Sequence, residues 1–243
     1  MRYAYINNVE YFLPNKIISL SDKIFYYLTI IMITIIIVGL INALFTSPED
    51  YLQGDAVRIM YVHVPSSFIA LGCFAFISLS SIGNIIFKIK VLPIMAKSIA
   101  PVGMIFCLIS LVTGSIWGKP TWGIWWVWDA RLTSMLILLI FYFAYLLIFK
   151  FINNYEKANK LSSIVAIVGS LNLPVIKYSV SWWNTLHQPS SITLTSAPTI
   201  HISMLVPLII MLIGMSIYVI VIFLMKYKTE LIKFKINQKK EKK

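Results

Sequence analysis

The sequence predicts an all-α, polytopic integral membrane protein with six transmembrane helices. Of its 243 residues, 59% are hydrophobic and only 12% are charged, whereas a soluble domain has about 45–50% apolar residues. A membrane-spanning helix needs roughly 20 mostly apolar residues, and the apolar runs do not alternate with polar residues as the strands of a membrane barrel do. The six runs are 24–45, 64–87, 99–116, 132–152, 161–181 and 203–225.

Each run has features expected of a retained helix. The first is too long for a signal-peptide core and lacks a small-residue cleavage site, so we expect it to stay in the protein. The second begins directly after His63, and the fourth follows Asp129, an acid suited to capping a helix N-terminus. The third, fifth and sixth contain Pro101, Pro174 and Pro207, which predict kinks that a helix bundle tolerates.

The distribution of basic residues predicts the orientation of the bundle. Most lysines and arginines fall in the segments that lie inside when the N-terminus is inside. Both termini are therefore expected in the cytoplasm, or in the mitochondrial matrix, and the outer loops are 46–63, 117–131 and 182–201. The net charge of +12 is explained mainly by this bias and by the basic tail 226–243. For that tail, contact with anionic lipid is favoured over nucleic-acid binding.

All seven tryptophans fall in the second and third outer loops. An aromatic belt would place them at both membrane interfaces, so the one-sided cluster favours a surface for a large, flat, apolar ligand such as haem. If the second loop is partly helical, four of them form one broad face at three- and four-residue spacing. The tryptophans of this loop are Trp117, Trp122, Trp125, Trp126 and Trp128.

All three histidines also lie on the outer side. His63 and His187 flank the tryptophan loop and are candidate axial ligands of haem iron, whereas His201, at the start of the sixth helix, is expected to be structural. Asp129 is expected to orient an arginine or to cap the fourth helix rather than to face haem. The candidate cations for the haem propionates are Arg131, Arg58 and Lys119.

Several catalytic classes are excluded by missing motifs. The sequence contains no helical metal spacing, no phosphate-binding Gly-x-x-x-x-Gly-Lys and no Cys-x-x-Cys-His haem attachment site. Any ATP hydrolysis is thus expected from a partner chain, and no catalytic residue is assigned. Cys73 and Cys107 lie within predicted spans and are expected to act as small apolar residues.

Three segments carry a family resemblance. The run 117–133 resembles the tryptophan-rich WWD signature of the haem-handling proteins of cytochrome c biogenesis. The segments 62–65 and 182–188 are similar to the two histidine loops that flank that signature. With six spans and 243 residues, the chain resembles the haem exporter C (CcmC) family within that superfamily. The long basic tail and His201 fall outside the resemblance.

The resemblance implies a specific function. Such proteins bind haem b at the outer face as a transient ligand and deliver it to the haem chaperone CcmE, in a complex with the ATPase CcmA, CcmB and CcmD. It implies haem-lyase-like help with covalent attachment, and a place in the bacterial inner membrane or the mitochondrial inner membrane. Carried over, the axial ligands are His63 and His187, and the platform comprises Trp117, Trp122, Trp125, Trp126, Trp128 and Asp129.

Two alternatives are weighed against this function. The first is a membrane subunit that exports haem across the bilayer. Such a pathway usually needs charges at mid-depth or paired broken helices, and neither is evident in the sequence. The second is a structural transporter subunit that uses the tryptophans as a protein-docking surface. Absorption by bound haem would argue against the second alternative.

Overall fold

The computed structural model describes residues 15–188 and 197–241, and within them the fold is helical, without a β-strand. A short π-helical turn, Asn42–Thr46, continues the first helix, and a 3-10 turn, Asp55–Ile59, precedes the second. The helices are α1 (Asn15–Ile41), α2 (Met60–Phe87), α3 (Val91–Trp122), α4 (Ala130–Phe151), α5 (Tyr155–Ser170), α6 (Asn172–Trp182) and α7 (Ile202–Glu241).

The described residues contain six helical segments that are long and apolar enough to cross a membrane. The predicted fold class is therefore confirmed, while the cytoplasmic position of the termini stays a prediction. The start of the chain, 1–14, the segment 189–196 of the third outer loop and the last two residues of the basic tail lie outside the described residues. The six segments are Ile24–Thr46, Asp55–Phe87, Val91–Trp122, Ala130–Phe151, Tyr155–Trp182 and Ile202–Ile236.

Helix α3 extends past both ends of its predicted span, because helical hydrogen bonds are satisfied within the segment whatever the polarity of its side chains. It ends at Gly123, whose positive φ of 79° suits a glycine. Trp117 and Trp122 therefore lie on α3, and the connection to α4 shortens to 123–129. Asp129 caps α4 as predicted, since its Oδ1 accepts the Leu132 N–H at 2.8 Å.

The fifth span is divided into α5 and α6 at Leu171. Pro174 lacks the N–H that would continue the helical ladder through this point, and the Asn172 side chain donates to the Ser134 carbonyl of α4 at 2.7 Å. Helices α3 and α7, by contrast, continue through Pro101 and Pro207. Of the three prolines predicted to kink helices, only Pro174 lies near a break in a helix.

The main core lies among α2, α3, α4 and α5. The buried Tyr142 of α4 donates to the Ala70 carbonyl of α2 at 2.7 Å, and the Ser78 hydroxyl of α2 donates to the Ala166 carbonyl of α5 at 2.9 Å. Such bonds satisfy polar groups that a lipid environment could not. Cys73 and Cys107 are buried and unpaired in this core. The helices that carry the outer loops are thereby held in fixed relative positions.

At the opposite end of the bundle from these loops, an ion cluster joins α3 to α7. Lys97 Nζ lies 2.6 Å from Glu230 Oε2, and Lys233 Nζ lies 3.0 Å from Glu230 Oε1. The Glu230 side chain is mostly buried, at 16% exposure. Helix α7 continues to Glu241, so most of the predicted basic tail is part of a helix.

Replacing Glu230 by glutamine is expected to lower the stability of the bundle by about 1–3 kcal/mol, because two lysines lose their partner in a partly buried site. The thermal midpoint of the detergent-solubilised protein should fall by several degrees. Glu156→Gln, at an exposed position in the first turn of α5, is the matched control and should shift stability by less than about 0.5 kcal/mol. Equal midpoints for the two variants would show that the cluster is not stabilising.

Candidate functional site

His63 and His187 line one cavity at the end of the bundle that carries the outer loops. The cavity has a volume of about 50 Å³. His63 lies in the first turn of α2 rather than in the preceding loop, and His187 lies in the segment that follows α6. The cavity is also lined by Ser67, Leu71, Ser110, Leu111, Gly114, Arg131, Leu132, Met135 and Ile176.

His187 is held by a carboxylate and by two tryptophans. Its Nδ1 lies 2.8 Å from Asp129 Oδ2, and the two side chains are only 13% and 6% exposed. Its ring packs edge-on against Trp122, with centroids 4.9 Å apart, and lies 6.5 Å from Trp117. Burial lowers the pKa of His187 below its usual value, although Asp129 partly opposes this shift. The neutral imidazole, which binds metals, therefore predominates at pH 7.

Asp129 thus has two roles, of which the sequence predicted one. It caps α4 through Oδ1 and contacts His187 through Oδ2. The alternative expectation, that it orients Arg131, is not matched by a hydrogen bond between these two side chains in the described part of the chain. Arg131 instead lines the cavity together with both histidines.

His63 packs closely against α3. Its Nδ1 lies 3.1 Å from the Thr113 hydroxyl, and a methyl group on Gly114 would stand 3.0 Å from its Cε1 atom. Ser67, one turn further along α2, bonds to the Ser110 hydroxyl of α3 at 2.6 Å. The position of the imidazole is therefore set by the side of α3 that carries Ser110, Thr113 and Gly114.

We expect Gly114→Ala to displace the His63 ring by a few tenths of an ångström, because the added methyl group meets Cε1. Ligand binding in the cavity should weaken severalfold, while the helix itself gains about 0.5–1 kcal/mol in propensity. Gly72→Ala is the matched control, since a methyl group there meets no atom within 4 Å. Binding constants measured side by side test this expectation, and equal constants for the two variants would contradict it.

The tryptophans of the second outer loop do not form the single broad face that a helical loop would produce. Residues 123–129 are not helical, because α3 ends at Gly123 and α4 begins after Asp129. Trp117 and Trp122 pack edge to face at 79°, and Trp126 and Trp128 do so at 75°. Trp126 packs against the main core.

Trp125 and Trp128 remain exposed, at 57% and 74% respectively. Both lie in the connection between α3 and α4. The Ser115 hydroxyl of α3 donates to the Trp125 carbonyl at 2.7 Å and so holds this connection against α3. These two indoles are therefore the members of the predicted platform that are accessible without repacking of the bundle.

The three candidate cations are placed differently. Arg58 donates to the Asp55 carboxylate and to the carbonyls of Ala43 and Ser47, so it fixes the first outer loop. Lys119 donates to the Gly123 carbonyl at 2.9 Å, at the end of α3. Arg131 alone among these three lines the cavity of the histidines, which makes it the best placed of them to pair with an anionic group there.

The sequence did not reveal the partners that position these side chains. Thr113 lies one helical turn before Trp117. Because the predicted third span ended at residue 116, the sequence did not place these two residues on one helix. Gln53 accepts from Trp117 Nε1 at 2.9 Å, and no local pattern predicts this contact. His201 lies at the start of α7, where its Nδ1 contacts the Ser203 hydroxyl at 2.7 Å and the Ser203 N–H at 3.3 Å.

The fold and the site together define a polytopic helical membrane protein with a two-histidine cavity and exposed tryptophans at one end of the bundle. A family model described as Heme exporter protein C, CcmC, matches residues 8–242. The chain therefore belongs to the CcmC family.

Individual relatives have the same description. The chain is 40% identical over 218 residues to the Heme exporter protein C of Haemophilus influenzae, covering 90% of this chain and 87% of the relative. It is 33% identical to that of Bradyrhizobium diazoefficiens over 92% of this chain and 85% of the relative. It is also 39% identical to a putative cytochrome c biosynthesis ccmC-like mitochondrial protein of Marchantia polymorpha, over 82% of this chain and 84% of the relative.

Proposed function

We propose that this protein handles haem for cytochrome c maturation, binding haem b transiently between His63 and His187 and delivering it to the chaperone CcmE. The observation that carries the proposal is that these two histidines, 124 positions apart in the sequence, line a single cavity. Membership of a family described as Heme exporter protein C supports haem as the substrate.

The chemistry of the cavity suits each part of the proposed substrate. Two neutral imidazoles are a common axial pair for haem iron. Apolar side chains from α2, α3, α4 and α6 line the cavity, and the exposed Trp125 and Trp128 offer stacking surfaces for the macrocycle. Arg131 is the proposed partner of a propionate, because an arginine can bind a carboxylate through two parallel hydrogen bonds.

The proposed partners follow from what this chain lacks and from its family. The sequence carries no phosphate-binding loop, so we propose that ATP hydrolysis is performed by CcmA, with CcmB and CcmD completing the complex. The proposed location is the bacterial inner membrane, or the mitochondrial inner membrane, with the cavity on the outer side and the basic segments on the inner side. The protein would assist covalent haem attachment by holding haem and the chaperone in one geometry.

The test has two parts. The detergent-purified chain should show a Soret band when it is prepared with haem, and co-expression with CcmE should yield a chaperone that retains haem on a denaturing gel. A chain without haem absorption would contradict the proposal and would favour a structural role.

Export of haem across the bilayer is the second candidate, because the relatives are named Heme exporter protein C. To separate the two candidates, haem is supplied from the outside to proteoliposomes that contain the chain in a known orientation. Loading of CcmE on that same side, without haem entering from the lumen, supports handover at one face. Loading only when haem is supplied from the lumen would support export.

A further inference from the structure

We infer that Thr113 and Asp129 are positioning residues. Each of them binds Nδ1 of one cavity histidine, so that the Nε2 atom of that histidine is left to bind iron. This inference rests on the proposed function, because it concerns the same two imidazoles. It adds a protonation pattern that holds in the absence of haem, and this pattern can be measured independently.

The geometry at His63 determines which atom donates. The Thr113 hydroxyl has one proton, and this proton is directed to the Ile109 carbonyl at 2.7 Å within α3. The hydroxyl oxygen can then only accept from the imidazole, whose Nδ1 lies 3.1 Å away. His63 must therefore carry its proton on Nδ1, which leaves the lone pair on Nε2.

At His187 a carboxylate, rather than a hydroxyl, also places the proton on Nδ1. Both oxygens of an ionised carboxylate accept hydrogen bonds. Asp129 Oδ1 accepts the Leu132 N–H at 2.8 Å, and Oδ2 lies 2.8 Å from His187 Nδ1. Nδ1 is therefore the donor, and Nε2 again holds the lone pair. A carboxylate that accepts from the distal nitrogen of a metal-binding histidine fixes its tautomer and raises its basicity.

The two histidines are thus positioned alike but are unequal as ligands. His63 donates to a neutral hydroxyl at 3.1 Å, whereas His187 donates to a mostly buried carboxylate at 2.8 Å. A charge-assisted hydrogen bond is about twice as strong as a neutral one. His187 is therefore the stronger electron donor of the pair.

His201 provides an internal contrast. Its Nδ1 accepts from the Ser203 backbone N–H at 3.3 Å, so its proton resides on Nε2. The chain contains only three histidines, and two of them are expected to have one tautomer and the third the other.

The first experiment needs no haem. The full-length protein, labelled with ¹⁵N at histidine and placed in lipid bilayers at pH 8, is studied by solid-state NMR, and each signal is assigned by loss of the corresponding histidine. We expect Nδ1–H tautomers for His63 and His187 and an Nε2–H tautomer for His201. An Nε2–H tautomer at either cavity histidine would overturn the inference.

Two substitutions test the cause of this pattern. In Asp129→Asn the amide oxygen can still cap α4, since asparagine caps as well as aspartate, and the amide N–H₂ then donates to His187 Nδ1. The His187 tautomer should therefore switch to Nε2–H. Thr113→Val should remove the preference at His63, whereas Thr113→Ser, which keeps the hydroxyl, should restore it. A wild-type pattern in Asp129→Asn, or equal behaviour of the valine and serine variants, would overturn the inference.

The same variants are then loaded with haem. Asp129→Asn and Thr113→Val should each bind haem about 10–100-fold more weakly, the usual cost of losing such a partner, and added imidazole should recover low-spin absorption. Thr113→Ser should bind as the wild type does. If the tautomers are as expected but the wild-type protein binds no haem, the proposed function fails while the hydrogen-bond pattern stands. If haem binds normally to all variants, the positioning roles fail and the proposed function stands.

Discussion

His63→Ala and His187→Ala are each expected to abolish low-spin haem binding. A bis-imidazole iron is six-coordinate and low-spin, and loss of one ligand leaves a five-coordinate or water-ligated, high-spin centre. The fall in affinity should at least match the 10–100-fold typical of losing a partner of a ligand. The measurement is the Soret spectrum of equal amounts of folded protein, with and without added imidazole, which should partly fill the vacant position.

His201→Ala is the matched control for these two variants. This histidine lies at the start of α7, is exposed, and contacts Ser203, so its loss should leave the spectrum as in the wild type. A wild-type spectrum from His63→Ala or from His187→Ala, or haem loss confined to His201→Ala, would disprove the axial assignment. Thermal midpoints recorded for all three variants separate ligand loss from misfolding.

The double variant Trp125→Ala/Trp128→Ala is expected to lower haem affinity about tenfold or more. Each stacking contact contributes about 0.5–1.5 kcal/mol beyond burial, and 1.4 kcal/mol corresponds to a factor of ten. Because both indoles are exposed, their removal should not change the thermal midpoint. Haem titration of the purified protein, together with the yield of haem-loaded CcmE, measures the effect.

Trp182→Ala/Trp183→Ala removes two other half-exposed indoles at the end of α6. Trp182 stacks with Tyr178 and packs edge to face against Trp183, and both lie at the end of α6 rather than in the connection between α3 and α4. This control should change haem affinity by less than threefold. Equal losses in the two double variants would mean that indole exposure at this end of the bundle, rather than a specific platform, governs binding.

The spacing of the tryptophans did not predict how each of them packs. Spacing alone suggested one broad aromatic face, whereas Trp117 and Trp122 lie on α3 and pack against His187, and Trp126 packs against the core. The interruption between Gly123 and Asp129 produced this division. The sequence predicted that Asp129 caps α4, but it did not predict that α3 continues to Gly123.

The candidate cations show the same limit. Arg58, Lys119 and Arg131 were all candidates in the sequence, with the arginines favoured, since each is a basic residue in an outer loop. Hydrogen bonds to Ala43, Ser47 and Gly123 direct the first two to backbone carbonyls. Only the positions of α2, α4 and α6 relative to one another place Arg131 at the cavity.

The sequence by itself determined that this protein is a six-span helical membrane protein. Apolar run length and composition depend on neighbouring residues along the chain, and a membrane permits few alternatives to a helix. Only the tertiary structure decided that His63 and His187 share one cavity and that Thr113 and Asp129 bind their Nδ1 atoms. These contacts join residues 50 and 58 positions apart, and such pairings depend on how the helices pack rather than on any local pattern.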